Sequence, residues 1–464
     1  MGQKSTHEPP MPGWIYSKAV YSMSHSLIQK VFSVSKGQGL RAQLLRGAFG
    51  VGALKILSLP LTLVASVLLA RGLGPEGFGQ YAFVMAMITM LVLPIGPGLG
   101  QLVTREVAKY EHSGSWGLFR GLTRRAHQWT LLGSAIIVTG IAIVSYSRAT
   151  WEVQDRWSLL VVASLLVPLL ALNALRTSIL RGLRCVISAQ LPEMVVRPGL
   201  HLLIIVGLLL GGLINPATAL MSQIVAAGLA FLLGAWLLRR ARPESAGVTA
   251  PAYQNKEWGT ALPPFIMLAM VSTLNGEIGI LALGWLGTDA EVGALRVAQS
   301  GAMLVAVSLT IVNLVIGPHI TRAHRDGDWN RLQRLSRQSS RAALAVALPI
   351  ALPMILLGAP IISLVFGEAY REEATWPLII LAAGQLINVA FGSVGLFLTM
   401  TGYERDTLRG QVIALVVNAL AAVILIPPYG AVGAALAVAI GLVTWNAALA
   451  ISFVQRLGFR PSAL

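Results

Sequence analysis

The chain has 464 residues, of which 55% are apolar and only 12% charged. Soluble proteins carry about 25% charged residues, so a surface facing water all round is excluded and lipid is the expected solvent. The formal net charge of +16 invites a nucleic-acid partner. The basic residues, however, form short clusters between apolar runs, as topology signals do, and no nucleic-acid interface is expected.

The first 46 residues hold Lys4, Lys18, Lys30, Lys36, Arg41 and Arg46 against one acid, Glu8. They lack the continuous apolar core of a cleaved signal peptide. Tyr16, Val20, Met23, Leu27, Val31 and Val34 recur at steps of three and four, which predicts an interfacial amphipathic helix on the cytoplasmic leaflet. A tail without fixed structure is the alternative.

Apolar runs of spanning length follow at 47–70, 78–102, 127–147, 157–178, 185–212, 215–238, 259–284, 292–319, 342–366, 376–400, 409–427 and 430–455. Each is near the ~20 residues that one crossing needs. The expected fold is an all-α polytopic membrane protein of about twelve transmembrane helices. Its first six-helix bundle spans 47–238, a cytoplasmic linker 239–258, the second bundle 259–455 and a cytoplasmic tail 456–464. With the amino terminus inside, the inner segments carry 28 Lys or Arg and the outer loops five, Arg71, Arg148, Arg156, Arg296 and Arg371. Acids divide nine to eight, as expected when only Lys and Arg direct topology. Both termini are therefore expected in the cytoplasm. The short outer loops leave no room for a catalytic domain outside the membrane. The lone Cys185 rules out an intramolecular disulfide, and no CxxC or HExxH spacing marks a metal site.

The two halves echo each other. Leu73-Gly74-Pro75-Glu76-Gly77-Phe78-Gly79 after the first span is answered by Leu286-Gly287-Thr288-Asp289-Ala290-Glu291-Val292-Gly293 after the seventh, at an offset of 213–214. Leu180-Arg181-Gly182 after the fourth is answered by Met400-Thr401-Gly402 after the tenth, at an offset of 220. Six helices separate the copies, so the halves share one topology and are expected to be related by a pseudo-two-fold axis along the membrane normal, with a substrate site between them. A common hairpin motif used twice is the alternative.

Four charges fall inside spans: Lys55, Glu193, Arg197 and Glu277. Such charges are costly in lipid and usually face a cavity or each other. Lys55 is read as a cavity cation for a phosphate group, or as a lysine snorkelling to the interface. Arg197 lies one turn after Glu193, either as a self-neutralising pair or as a diphosphate ligand with Glu193 as its tuning or proton-carrying acid. Glu277 has no base within a turn of its own helix and is read as a cavity acid, protonated or coupling an ion, or as a structural hydrogen-bonding group. Asn313, Gln385 and Asn388 read as helix–helix contacts. Pro94, Pro97 and Gly98 crowd the second span and predict a kink, serving as a hinge or only as packing. Arg105, Arg120, Arg124, Arg125 and the run from Arg322 to Arg341 read as topology signals that contact anionic phospholipids.

At three places the chain resembles the polysaccharide-unit flippases, the Wzx-type branch of the multidrug/oligosaccharidyl-lipid/polysaccharide exporter superfamily. These are Arg71–Ala82, Gly98–Ala108 and Asn418–Ala437, the last with Pro427, Gly430 and Gly433 in the final hairpin. The resemblance implies a MATE-like fold and no catalysis. It implies a carrier that moves undecaprenyl-diphosphate-linked oligosaccharide to the outer leaflet by alternating access, for O-antigen, capsule or exopolysaccharide. It also implies work alongside a polysaccharide polymerase and chain-length proteins. No cofactor is expected beyond a coupling proton or sodium ion. The competing readings are a cation-coupled multidrug exporter of the same superfamily and, from a different class, a membrane-embedded glycan enzyme.

Overall fold

The computed structural model describes residues 40–148, 154–245 and 249–459. The amphipathic stripe expected over residues 16–34 lies outside the described residues. Two units are distinguished, Met1–Ala53 and Leu54–Leu464. Of the first, only the helical stretch from Leu40 is described. Everything below concerns the second.

No strand occurs among the described residues. The helices are α1 (Leu40–Val92), α2 (Leu99–Ser113), α3 (Trp116–Arg148), α4 (Gln154–Ser164), α5 (Leu166–Gly182), α6 (Val186–Leu191), α7 (Arg197–Leu210), α8 (Pro216–Ala241), α9 (Asn255–Leu286), α10 (Asp289–Arg325), α11 (Trp329–Leu356), α12 (Gly358–Val365), α13 (Arg371–Phe391), α14 (Val394–Met400) and α15 (Glu404–Leu457). Nine stretches among the described residues are long and apolar enough to cross a membrane, and the bent pair α4–α5 makes a tenth. Two of the nine contain a break. Gly74 (φ 70°) interrupts α1 and Gly430 (φ 51°) interrupts α15. Both angles lie in the left-handed region that only glycine enters freely. The described chain therefore provides twelve crossings. Large apolar side chains such as Leu132, Leu203, Leu232, Leu364 and Ile424 project outward, as lipid-facing residues do.

One end of the bundle carries the turns at Gly74, Gly287 and Gly430 and is called the hairpin face. The other carries Gly114, Arg184, Gly327 and Gly402 and is called the basic face. Buried apolar residues form one continuous cluster drawn from both halves of the chain, running from Ala65 to Ala227 and from Ile280 to Ala437. Two further clusters stay apart. One gathers α2, α3, α5 and the first turns of α9 around Leu102, Tyr110 and Trp258. The other gathers α10, α11, α14 and the end of α15 around Ile320, Phe397 and Phe453. These smaller clusters lie toward the basic face, while the shared cluster reaches the hairpin face. The shared cluster joins the halves at the hairpin face, and α9 also ties them at the basic face through the Tyr110–Trp258 cluster.

The repeat appears in the seam itself. A Cβ on Gly79 would fall 1.7 Å from the Asp289 carbonyl oxygen, and a Cβ on Gly293 would fall 2.2 Å from that of Pro75. Gly79 and Gly293, and likewise Pro75 and Asp289, are 214 positions apart. Each half therefore presents the same glycine to the same carbonyl of the other, as a pseudo-two-fold axis requires. Arg156 adds an ion pair to Asp289 (2.7 Å) and stands over the Phe83 ring at 5.4 Å. Gln80 donates to the other Asp289 carboxylate oxygen at 3.2 Å. The Tyr370 hydroxyl donates to the Ala70 carbonyl at 2.9 Å, and Arg71 donates to the Val365 and Leu364 carbonyls.

Candidate functional site

A cavity of about 680 Å³ opens between the halves, within the ~300–1,000 Å³ that small-molecule sites occupy. α1 lines it with Leu59, Thr62, Leu63 and Ser66, which recur at helical spacing on one face. α9 contributes Ser272, Asn275, Gly276 and Glu277, and α10 contributes Arg296, Gln299, Ser300 and Met303. Gln385 comes from α13, and Gln411, Asn418 and Trp445 come from the two arms of α15. Toward the hairpin face, Ser66 and Ser300 meet through their hydroxyls at 3.1 Å.

The charged members of this lining are Glu277 and Arg296, paired at 3.6 Å. The sequence assigns Arg296 to an outer loop; the structure corrects this. A capping box between Thr288 and Glu291 starts α10, which leaves Arg296 two turns inside the helix and pointing into the cavity. Glu277 therefore has a basic partner, supplied by the neighbouring crossing rather than by its own helix.

Lys55 does not line this cavity. It lies four residues before Leu59, on the same face of α1 and ~6 Å of helix rise toward the basic face. It is half-buried and has no acidic partner among the described residues. It stands one turn outside the chamber, on the side of the basic face.

Arg197 and Glu193 belong to a separate cluster in the first half. Pro192 opens a π-helical turn, Pro192–Val196, that carries Glu193 into α7. Glu193 bridges two cations, Arg197 at 3.2 Å and Arg176 at 3.7 Å. Arg176, which the sequence assigns to a cytoplasmic segment, is in fact buried inside α5. It donates to the Ala230 and Phe231 carbonyls, filling space that Gly234 leaves empty on α8. One turn beyond Arg197, His201 is buried against Ser222. The Ser222 hydroxyl donates to the Ala219 carbonyl at 2.7 Å, so its contact with His201 Nδ1 at 2.9 Å must be accepted from an Nδ1–H. His201 Nε2 then carries a lone pair with no hydrogen-bond partner. The run Glu193, Arg197, His201 at four-residue steps could have been read from the sequence; Arg176 and Arg296, near the ends of apolar runs, could not.

The predicted hinge residues Pro94, Pro97 and Gly98 fall in a second π-helical turn, Pro94–Gly98, whose Gly98 amide reaches back five residues to Leu93. A side chain at Gly98 would meet the Ile266 backbone at 2.9 Å, so α9 passes directly over this turn. At the basic face, Trp258 of α9 donates to the Tyr110 hydroxyl, which in turn donates to Gln254.

Comparison with known proteins agrees with this architecture. Residues 44–324, more than half of the chain, match the family described as polysaccharide biosynthesis protein, and residues 293–463 match the lipid II flippase MurJ family. The probable low-salt glycan biosynthesis flippase Agl15 of Haloferax volcanii is 23% identical over 381 residues, 80% of this chain and 75% of that protein. Among solved structures, an inward-facing multidrug resistance MATE family transporter of the MOP superfamily superposes with a TM-score of 0.71, at 17% identity, over 86% of this chain and 94% of the other. The lipid II flippase MurJ in an inward closed conformation gives 0.68, at 14% identity, over 86% of both chains. The chain is a multi-pass membrane transporter of the flippase kind rather than an enzyme, and it belongs to the polysaccharide biosynthesis protein family.

Proposed function

We propose that this protein carries undecaprenyl-diphosphate-linked oligosaccharide units from the cytoplasmic to the outer leaflet of the cytoplasmic membrane, supplying O-antigen, capsule or exopolysaccharide synthesis. The observation that carries the reading is the chamber where α1 meets the second half, in which Ser, Asn and Gln side chains stand among apolar ones, with Lys55, unpaired among the described residues, one turn below it. A diphosphate and a string of hydroxyls cannot enter hydrocarbon unaided, and a hydrated cationic vestibule lowers that barrier. The excess of Lys and Arg in the segments that the sequence assigns to the inside, 28 against five, supports a cytoplasmic basic face and cytoplasmic termini, in contact with anionic phospholipids. Polymerase and chain-length proteins would then receive the glycan at the hairpin face.

In this mechanism Lys55 and Arg197 attract the diphosphate. Glu193 and Glu277 are the acids that couple transport to a proton or sodium gradient. Glu193 is paired with Arg197 and Arg176, and Glu277 with Arg296. A phosphate that draws Arg197 away leaves Glu193 paired with Arg176 alone, which opens one of its oxygens to a proton or a cation. The π-helical turn at Pro94–Gly98 serves as a hinge while the seam around Asp289 opens.

The test is deletion of the gene in its host, with complementation by wild type, Lys55→Ala and Arg197→Ala. The expected result is loss of surface polysaccharide and accumulation of lipid-linked repeat units on the cytoplasmic side. The variants should reach the membrane but fail to restore the polysaccharide. Unchanged glycan with raised drug sensitivity would transfer the protein to the multidrug-exporter reading.

A further inference from the structure

The chamber's amides carry an inference that rests on the flippase reading and extends it to the substrate's sugar. A hydrogen-bond relay fixes their orientation. Asn446 donates to Asn388 Oδ1 (2.9 Å) and Asn388 donates to Gln385 Oε1 (3.1 Å). With its oxygen occupied, Gln385 turns its NH₂ group toward the chamber it lines. Asn275 is fixed in the opposite sense. Its NH₂ donates to the Val271 and Gln411 carbonyls, both at 3.0 Å, and Oδ1 is the atom left over.

Two further chamber residues hold buried polar atoms with no hydrogen-bond partner, the acceptor Asn418 Oδ1 and the donor Trp445 Nε1. Asn418 is only 2% exposed. Each unpartnered buried group costs about 1–3 kcal/mol, and buried polar atoms in native proteins are nearly always satisfied. All four residues line the chamber, and the protein's own hydrogen bonds leave over two donor groups, of Gln385 and Trp445, and two acceptor oxygens, of Asn275 and Asn418. The charges lining that space, Glu277 and Arg296, neutralise each other.

A diphosphate accepts hydrogen bonds only and needs an excess of cations, so it does not match this lining. A neutral sugar ring does match, since each hydroxyl both donates and accepts and the Trp445 ring offers an apolar surface beside its NH group. We propose that Gln385, Asn275, Asn418 and Trp445 form a subsite for a neutral sugar residue of the lipid-linked glycan. The substrate enters sugar first, and its diphosphate stays one turn behind at Lys55.

The test uses the purified full-length protein in nanodiscs and two probes, p-nitrophenyl N-acetyl-β-glucosaminide for the sugar and geranyl diphosphate for the anion. Binding is titrated by saturation-transfer NMR. Asn418→Leu and Gln385→Glu should each weaken the glycoside about tenfold, the loss of one hydrogen bond to a buried partner. Both should bind geranyl diphosphate as wild type does, which also reports that they are folded. Lys55→Ala should weaken geranyl diphosphate and spare the glycoside. The subsite is overturned if wild type binds no glycoside, as a chamber satisfied by water alone would behave. It is also overturned if both amide variants bind the glycoside normally, or if they lose both probes while remaining monodisperse. Glycoside binding that depends on Asn418, in a protein that ignores geranyl diphosphate, would support the sugar subsite while removing the lipid-linked substrate.

Discussion

Gly79→Ala offers a direct test of how the hairpin face closes. The added Cβ would sit 1.7 Å from the Asp289 carbonyl oxygen and 3.0 Å from the Gly293 amide nitrogen. Real Cβ contacts are essentially never under 3.0 Å, so the seam must part by about 1.3 Å at this point. The obstacle is backbone and cannot swing aside as a side chain can. Parting the seam strains the Arg156–Asp289 pair, whose side chains are only about one-fifth exposed, and the Gln80 hydrogen bond beside it. Overpacking of this kind costs about 1–3 kcal/mol, which lowers the closed-to-open ratio roughly 5–150-fold.

The assay places a single reporter, Ser300→Cys, in a Cys185→Ser background. Ser300 lies just inside the seam, with its hydroxyl 3.1 Å from that of Ser66. A membrane-impermeant maleimide applied from the hairpin side should label the reporter slowly in the parent and faster by the stated factor in Gly79→Ala. Gly293→Ala, the repeat-related change, should behave alike. The double variant should fall short of the sum, because both changes open one seam. Equal labelling rates in parent and variant, with equal access from the basic side, would refute closure by close glycine–carbonyl contact.

Arg296→Gln should leave the Glu277 carboxylate without its counter-charge and lower stability by about 1–3 kcal/mol. Adding Glu277→Gln should recover most of that loss, and thermal melts of the three variants in detergent decide the matter. Gly234→Ala would put a Cβ 1.6 Å from Arg176 Nη1 and push the guanidinium off the Ala230 and Phe231 carbonyls. The cost of an uncompensated buried charge, about 3–5 kcal/mol, should appear as a collapsed yield of monodisperse protein, and an unchanged melting profile would contradict the packing described. Burial raises the pKa of the Cys185 thiol, in the turn between α5 and α6. Because the thiolate is the nucleophile, alkylation of Cys185 by iodoacetamide should rise at a higher pH than that of a free thiol, and overlaid profiles would count against its burial.

The sequence by itself determined that this is a polytopic helical membrane protein, how many times it crosses and where its halves repeat. Hydrophobic run length is a local property, since each crossing must satisfy its own backbone hydrogen bonds. The breaks at Gly74 and Gly430 were legible for the same reason, because glycine placed between two apolar runs marks its own turn. So were Lys55, Glu193, Arg197 and Glu277, single charges in stretches where charge is costly. Pairing was not legible. Arg296 and Arg176 sit near the ends of apolar runs, where a topology signal and a buried ligand look the same. Only the packing of α10 against α9, and of α5 against α6 and α8, gives each its glutamate. Nor could the sequence decide which amides glue helices and which line the chamber. That depends on which of their few hydrogen bonds neighbouring groups consume: the Gln385 oxygen accepts from Asn388, itself held by Asn446, and the NH₂ group of Gln385 is what is left over. Charge cost and span length are read one helix at a time, whereas a binding site is defined by atoms that come together from six crossings, and only the tertiary structure brings them within reach of one another.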